Sequence, residues 1–293
     1  MLETRTDKTI ELVIYAVLAI VTITVLYPLI FVAVASLSSP ERVMNGEVWL
    51  WPKGLTFVGY ERIFDNKEIL TGYMNTILYT LVGTAINLVM TVAAAYPLSR
   101  RDFYGRNVFT ALILFTMFFS GGMIPTYLLI KKLGMLNTFW ALVIPSALSV
   151  WNILIMRTFF QSSIPWEIQE SASIDGCSNM QTLVRIVLPL SAPIIAVMVL
   201  FYSVGHWNAY FNALLYLTDR AKYPLQLILR EILVQGQMQE MVDVSDTSLA
   251  KSVMDAEAIK YAAVIVANLP VLVLYPFLQK YFVKGIMVGA IKG

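Results

Sequence analysis

Long apolar stretches without charged residues dominate the chain. In six of them the interior lacks Asp, Glu, Lys and Arg, which predicts membrane spans at approximately 12–38, 73–98, 107–130, 134–157, 190–217 and 259–282. A helix needs about 20 apolar residues to cross the hydrocarbon core of a bilayer. The two-residue alternation typical of barrel strands is absent, so the spans are predicted to be helices. We therefore expect an all-α integral membrane protein with about six transmembrane helices.

Composition supports the same conclusion. Of the 293 residues, 58% are hydrophobic and 14% are charged, and the mean hydropathy is +0.70. A soluble domain of this length cannot bury so much apolar surface. The net charge of +2 does not suggest a nucleic-acid partner, and the single cysteine, Cys177, excludes an internal disulfide. The first stretch is longer than the apolar core of a cleaved signal peptide, so we expect it to be an uncleaved span.

The polar connections suggest an orientation. The short loop 99–106 contains three arginines, and Arg5 and Lys8 precede the first span. By the positive-inside rule these segments fit the cytoplasmic side, which places both termini in the cytoplasm of a multi-pass protein. Residues 219–258 would then form the longest outer loop, and 1–293 would form a single membrane domain.

Several kinds of chemistry are missing from the sequence. There is no phosphate-binding GxxxxGK[ST] loop, no HExxH and no GxSxG, so we expect neither ATP hydrolysis nor zinc or serine catalysis by this chain. The predicted spans contain no ionisable side chain except His206 in their interiors, which disfavours a carrier driven by an ion gradient. A sodium site built from backbone carbonyls stays open as an alternative. The energy for any transport should therefore come from a partner.

His206 allows two interpretations. Trp207 and Tyr210 flank it, which is typical of an aromatic belt at a membrane interface. Alternatively, Asn208 and Asn212 share one helix face at a spacing of four residues and would form, with His206, the polar rim of a substrate path.

The cytoplasmic loop 163–189 has the signals of two short helices. Pro165 suits the start of the first helix, and Gly176 is a helix stop. Ser178 followed by Gln181 predicts a capping box that starts the second helix. Apolar residues then repeat at helical spacing, so this helix could lie in a partner's groove.

This loop resembles that of the importer-type ABC transporter permeases. Their pattern is E-A-A, three residues, G, nine residues and I-x-L-P. Here Glu170-Ser171-Ala172 is followed at the same spacings by Gly176 and by Ile186-Val187-Leu188-Pro189, with Ser171 as the one departure. Its place between spans 4 and 5, the tail ending in Lys292-Gly293 and the segment 223–226 are similar to the maltose-type carbohydrate uptake group. Residues 227–234 resemble the subgroup for complex or acidic oligosaccharides, such as the alginate type.

The resemblance implies a role for each matching residue. The loop would be a two-helix coupling segment that docks on an ATPase through Glu170, Ala172, Gly176, Ile186, Leu188 and Pro189. Lys292 and Gly293 would reach the same ATPase. The implied partners are a second permease chain, two ATPase subunits that bind ATP and Mg²⁺, an extracytoplasmic solute-binding protein and an oligosaccharide, in the bacterial cytoplasmic membrane. This chain itself would bind no cofactor and no metal.

Polar and aromatic groups in or near the spans are candidates for a substrate pathway. They are Asn75, Asn87, Asn152, Asn208 and Tyr210. Hydrogen bonding between helices is an alternative use for each of them. An ABC permease for a non-sugar solute, an ion-gradient-driven carrier and a membrane-embedded enzyme are the competing functions.

Overall fold

The computed structural model describes residues 5–240, 254, 256–273 and 276. Every regular element in these residues is a helix. The α-helices are, in chain order, α1 (Arg5–Ser36), α2 (Pro40–Met44), α3 (Val58–Asp65), α4 (Lys67–Ser99), α5 (Arg106–Phe118), α6 (Met123–Lys132), α7 (Trp140–Val143), α8 (Val150–Ser163), α9 (Trp166–Ile174), α10 (Asn179–Thr182), α11 (Leu188–Leu190), α12 (Ala192–Trp207), α13 (Phe211–Tyr216), α14 (Leu225–Glu240) and α15 (Ala256–Val273). A π-helix (Leu183–Val187) precedes α11, and a short 3₁₀-helix (Arg220–Lys222) precedes α14.

Three helices are long and apolar enough to cross a membrane, namely α1, α4 and α15. Two bent pairs would raise the number to five if each counts as one span: α5 with α6, bent by 108°, and Asn179–Leu190 with α12, bent by 82°. The first bend lies at Gly121 and Gly122, where the third predicted span is interrupted. The described residues thus form an all-helical membrane protein with three to five apolar spans.

Two further predicted spans, besides the third, are not continuous helices. Residues 134–157 form α7 and the first part of α8, separated by a non-helical segment that contains Pro145. Proline cannot donate a backbone hydrogen bond, and the residue before it is disfavoured in the α conformation. Residues 190–217 include α12, which ends at Trp207, and then α13. The outer loop 219–258 contains α14, while its residues 241–253 and 255 lie outside the described residues.

The chain divides into two compact units, Met1–Ile69 with Leu229–Leu269 and Leu70–Ile228 with Pro270–Gly293. In the first unit the carboxyl end of α1 packs on α15, where the rings of Phe31 and Tyr261 meet edge to face at 5.8 Å. Ser36 and Tyr60 share a hydrogen bond of 2.8 Å between their hydroxyls. Most of α1 exposes apolar side chains, which is typical of a helix that faces lipid.

The second unit contains the largest apolar core. Its buried residues come from α4, α8, the π-helix and α12 and include Val92, Ala95, Met156, Phe160, Val187 and Met198. A hydrogen bond of 2.6 Å between the buried hydroxyls of Thr91 and Tyr202 joins α4 to α12 within this core. These helices therefore form one packed framework that positions the site described below.

Gly59 of α3 is predicted to tolerate no side chain. A methyl group at this buried position would overlap the carbonyl oxygen of Ala258 and approach the Cβ of Ala262 to 3.0 Å. We expect Gly59→Ala to lower the stability of the purified protein by about 1–3 kcal/mol, because the backbone of α15 must move to relieve the overlap. Thermal unfolding in detergent measures the loss. Gly205→Ala is the matched control, since a Cβ at that helical glycine meets no described atom within 4 Å. Equal melting temperatures for the two variants would contradict this packing.

Candidate transport pathway and coupling segment

The second unit encloses a cavity of about 390 Å³ between α4, α8, α12 and α13. Its hydrogen-bonding side chains are those of Tyr79, Ser146, Ser149, Asn152, His206 and Asn212. Phe201 and Tyr202 add aromatic surface. In the part of the chain that the structure describes, no Asp, Glu, Lys or Arg lines this cavity. The cavity can therefore offer hydroxyls, amides and aromatic rings to a solute, but no fixed charge.

His206 is held in the cavity wall by a buried asparagine. Its Nε2 lies 2.6 Å from Oδ1 of Asn87, and Nδ2 of Asn87 donates to the carbonyl oxygen of Ser146 at 2.6 Å. Because the Asn87 amide nitrogen donates to a carbonyl, its oxygen must accept, so Nε2 of His206 is the donor. Asn87 is fully buried, so its amide fixes the orientation of the His206 imidazole from behind the cavity surface.

Gly83 makes this arrangement possible. A Cβ at this position on α4 would lie 2.6 Å from Nε2 of His206. Only glycine lets the imidazole approach the backbone of α4 so closely. The sequence contains no local signal for this role, since the two residues are brought together only by the packing of α4 on α12.

The predicted pathway residues do not all lie at the cavity. Asn152 lines the cavity, and Asn87 lies directly behind it. Asn75 instead donates to the backbone oxygens of Ala221 and Tyr223, at 2.8 and 3.1 Å. Asn208 donates to a carbonyl of its own helix, and neither Asn208 nor Tyr210 lines the cavity. A role in the pathway stays a prediction for all five residues. His206 lines the cavity, as its second interpretation expects, and the geometry adds Tyr79, Ser149 and Tyr202 as candidates.

The segment 163–189 forms two helices joined by a glycine turn. Gly176 has a φ of +79°, and the amides of Gly176 and Cys177 donate to the carbonyls of Ser173 and Ala172, at 3.1 and 2.9 Å. This pair of bonds is a Schellman motif, which closes α9 and requires the left-handed conformation that glycine adopts without strain. At the start of α10 the predicted capping box of Ser178 and Gln181 is present.

The residues predicted to contact an ATPase differ in exposure. Glu170, Gly176 and Pro189 are exposed, Ile186 and Leu188 are partly buried, and Ala172 is buried within the chain. Other apolar side chains of the segment are exposed, including Ile174 (83%) and Met180 (67%). These exposed side chains offer apolar surface to a partner, while Ala172 packs inward. Lys292 and Gly293 lie outside the described residues.

The interior side of this segment meets the short arginine loop after α4. Arg100 donates to both carboxylate oxygens of Asp102, at 2.8 and 2.6 Å. This paired contact lowers the pKa of Asp102 and raises that of Arg100, in both cases chiefly through the hydrogen bonds between them. The guanidinium therefore keeps its charge and a fixed orientation beside α9.

Comparisons with known proteins agree with the all-helical membrane fold. Residues 1–288 match the family described as the binding-protein-dependent transport system inner membrane component. Protein LplC of Bacillus subtilis is 42% identical over 266 residues, which cover 91% of this chain and 89% of LplC. The polygalacturonan/rhamnogalacturonan transport system permease protein YtcP of the same organism is 40% identical over 292 residues, covering 98% and 99%.

A solved structure is also similar. A chain in the crystal structure of a bacterial ABC transporter involved in the import of the acidic polysaccharide alginate superposes with a TM-score of 0.86 at 34% identity, covering 96% of this chain and 99% of that one. Family, relatives and fold agree over nearly the whole sequence. The chain therefore belongs to the inner-membrane permease components of binding-protein-dependent transport systems.

Proposed function

We propose that this chain is one of two permease subunits of an ABC importer and that it carries an oligosaccharide through the cavity between α4, α8, α12 and α13. The observation that carries this proposal is the lining of the cavity. Sugars present hydroxyls that bind to amides and hydroxyls, and their apolar ring faces pack on aromatic side chains. Asn152, Ser149 and Tyr202 supply these groups without fixed charge.

The relatives support a sugar as the solute. The transporter with the similar structure is involved in the import of alginate, and YtcP is a permease protein of a transport system for polygalacturonan and rhamnogalacturonan. These solutes are acidic polysaccharides, whereas the cavity of this chain has an uncharged lining. An oligosaccharide is therefore the proposed substrate class, and any counter-charge for an acidic sugar would come from the partner permease or the binding protein.

The proposed energy source is a pair of partner ATPases that bind ATP and Mg²⁺. The sequence has no phosphate-binding loop, and the segment 163–189 exposes the apolar side chains of Ile174 and Met180 beside Glu170. Burying such side chains in a groove of a partner would supply most of the docking free energy, since an exposed ion pair of Glu170 contributes only about 0–1 kcal/mol. ATP-driven closure of the partners would then switch the permease between its two states.

In the proposed topology six spans cross the membrane, and both termini lie in the cytoplasm. Residues 134–157 would form a broken fourth span, with α7 and the first part of α8 separated at Pro145. Non-helical backbone is tolerated at membrane depth where it lines a cavity, and Ser146, Leu148 and Ser149 of this break do line it. The outer loop would meet the solute-binding protein.

Co-purification and reconstitution test this function. Gentle detergent extraction of the chain is expected to bring down an ATPase and a second permease. The complex in liposomes, supplied with its binding protein, is then expected to take up pectin- or alginate-derived oligosaccharides only when ATP is present. Transport by the isolated chain without ATP, or uptake restricted to amino acids or peptides, would contradict the proposal.

A further inference from the structure

One helix extends from the cavity to the coupling segment. Tyr79 of α4 lines the cavity, Tyr96 lies in the last turn of the same helix, and Arg100 directly follows its end. At about 1.5 Å per residue, Tyr79 is roughly 25–32 Å from this end. α4 stays helical through Pro97 in its last turn, and rigid, packed helices are among the elements that carry coupling between distant sites, so contacts at its carboxyl end can reach the cavity.

Arg100 joins this end to α9. One guanidinium nitrogen lies 3.5 Å from Oε1 of Gln169, and the group stacks over the ring of Trp166 at 5.5 Å. Gln169 is buried, and the Arg100 side chain is only 11% exposed. Arg101 lies 6.0 Å from the same indole ring, so Trp166 packs against two consecutive guanidinium groups.

Tyr96 joins the same end to α10. Its hydroxyl donates to the carbonyl oxygen of Asn179 at 3.3 Å and accepts from Arg100 at 3.1 Å. Asp102 holds the other edge of the guanidinium in a two-point contact. Both helices of the coupling segment are therefore attached to α4 through Arg100 and Tyr96, which lie about one helical turn apart.

We propose that Arg100, Tyr96 and Trp166 form a clasp through which movement of α9 and α10 is passed to α4 and so to the cavity. The inference rests on the proposed coupling role of the segment 163–189 and adds positioning residues to it. Arginine suits this position because its planar group binds a carboxylate at two points and stacks on an aromatic ring at the same time, which lysine cannot do.

The measured quantity is the number of substrate molecules taken up per ATP hydrolysed by the complete transporter in liposomes. Arg100→Ala is expected to lower this ratio about tenfold, the scale of a typical coupling between two sites. Tyr96→Phe, which keeps the ring and removes both hydrogen bonds, is expected to lower it about fivefold, at the lower end of that scale. The ratio measured for Arg100→Lys should be close to that for Arg100→Ala, because a positive charge alone does not replace the contacts of the planar guanidinium group.

Two controls separate coupling from folding. Tyr104→Ala changes a side chain that is 97% exposed in the same loop and should leave the ratio and the melting temperature unchanged. In the double variant Arg100→Ala/Tyr96→Phe, the ratio should fall by less than the product of the two single decreases, because the two residues act through one set of contacts. A ratio near the wild-type value in Arg100→Ala, or a fall in melting temperature that accounts for the whole loss of uptake, would overturn the clasp.

The same assay distinguishes failure of the clasp from failure of the proposed function. If Arg100→Ala behaves as wild type while Gly176→Trp uncouples transport, the coupling segment acts without this clasp. If Gly176→Trp also leaves the ratio unchanged, the coupling role itself is wrong, and the clasp is wrong with it.

Discussion

Gly205→Trp is expected to reduce oligosaccharide uptake by the assembled transporter on the order of a hundredfold, equivalent to about 2.7 kcal/mol. Gly205 lies on α12 in the cavity wall, and a Cβ at this position meets no atom within 4 Å in the described part of the chain. An indole would therefore enter the cavity of about 390 Å³ rather than disturb the helix packing. It would compete with the sugar for the space beside His206 and Asn152.

Uptake of labelled oligosaccharide into liposomes measures this effect, with co-purification of the partners as the check on assembly. A steric cause predicts a graded series, with the loss growing from Gly205→Ala through Gly205→Leu to Gly205→Trp. Normal uptake by an assembled Gly205→Trp transporter would mean that substrate does not pass through this cavity, and the pathway would then have to lie elsewhere.

Gly176→Trp is expected to abolish uptake without blocking membrane insertion, because it places an indole on the exposed turn between α9 and α10. Among the described residues, no atom lies within 4 Å of a Cβ at this position, so the bulk would face the proposed ATPase. The positive φ adds conformational strain of about 1–2 kcal/mol. Uptake should therefore fall more steeply than ATP hydrolysis stimulated by the binding protein.

Gly134→Trp is the matched control for that variant. Gly134 follows α6 with a φ of +68°, and a Cβ there also meets no atom of the residues that the structure describes within 4 Å. The control has the same backbone strain and the same bulk, but it lies outside the coupling segment. Normal uptake and normal stimulated ATP hydrolysis in Gly176→Trp would contradict the coupling role, and an equal loss in Gly134→Trp would assign the effect to strain.

The sequence predicts helix positions and ends where neighbouring residues alone determine them. Apolar runs locate the spans, and the capping box of Ser178 and Gln181 and the turn at Gly176 are present. The start of α4 at Lys67, earlier than predicted, also has a local cause, since Oδ1 of Asn66 accepts from the amides of Glu68 and Ile69. The break near Pro145 is not predicted, because the sequence alone does not show which membrane prolines end a helix.

The site depends on contacts that the sequence does not display. Asn87 and Asn152 are predictable candidates because an unpaired amide in a span is costly. Their different positions, one behind the cavity surface and one on it, depend on how α4 packs against α8 and α12. Arg100 enters the sequence-based prediction only as part of a positive loop, since its contact with Gln169 spans 69 residues of sequence.

The π-helix at Leu183–Val187 gives a physical meaning to the spacing of the loop pattern. A π-turn contains one residue more than an α-turn, and each residue rotates an α-helix by about 100°. The interval of nine residues between Gly176 and Ile186 includes the first part of this wide turn. Deleting one residue there would rotate Leu188 and Pro189 away from the direction set by the capped start of α10. The length of the interval therefore matters for the direction of these two side chains, and we expect a deletion there to be more disruptive than a substitution of an exposed residue in the same interval.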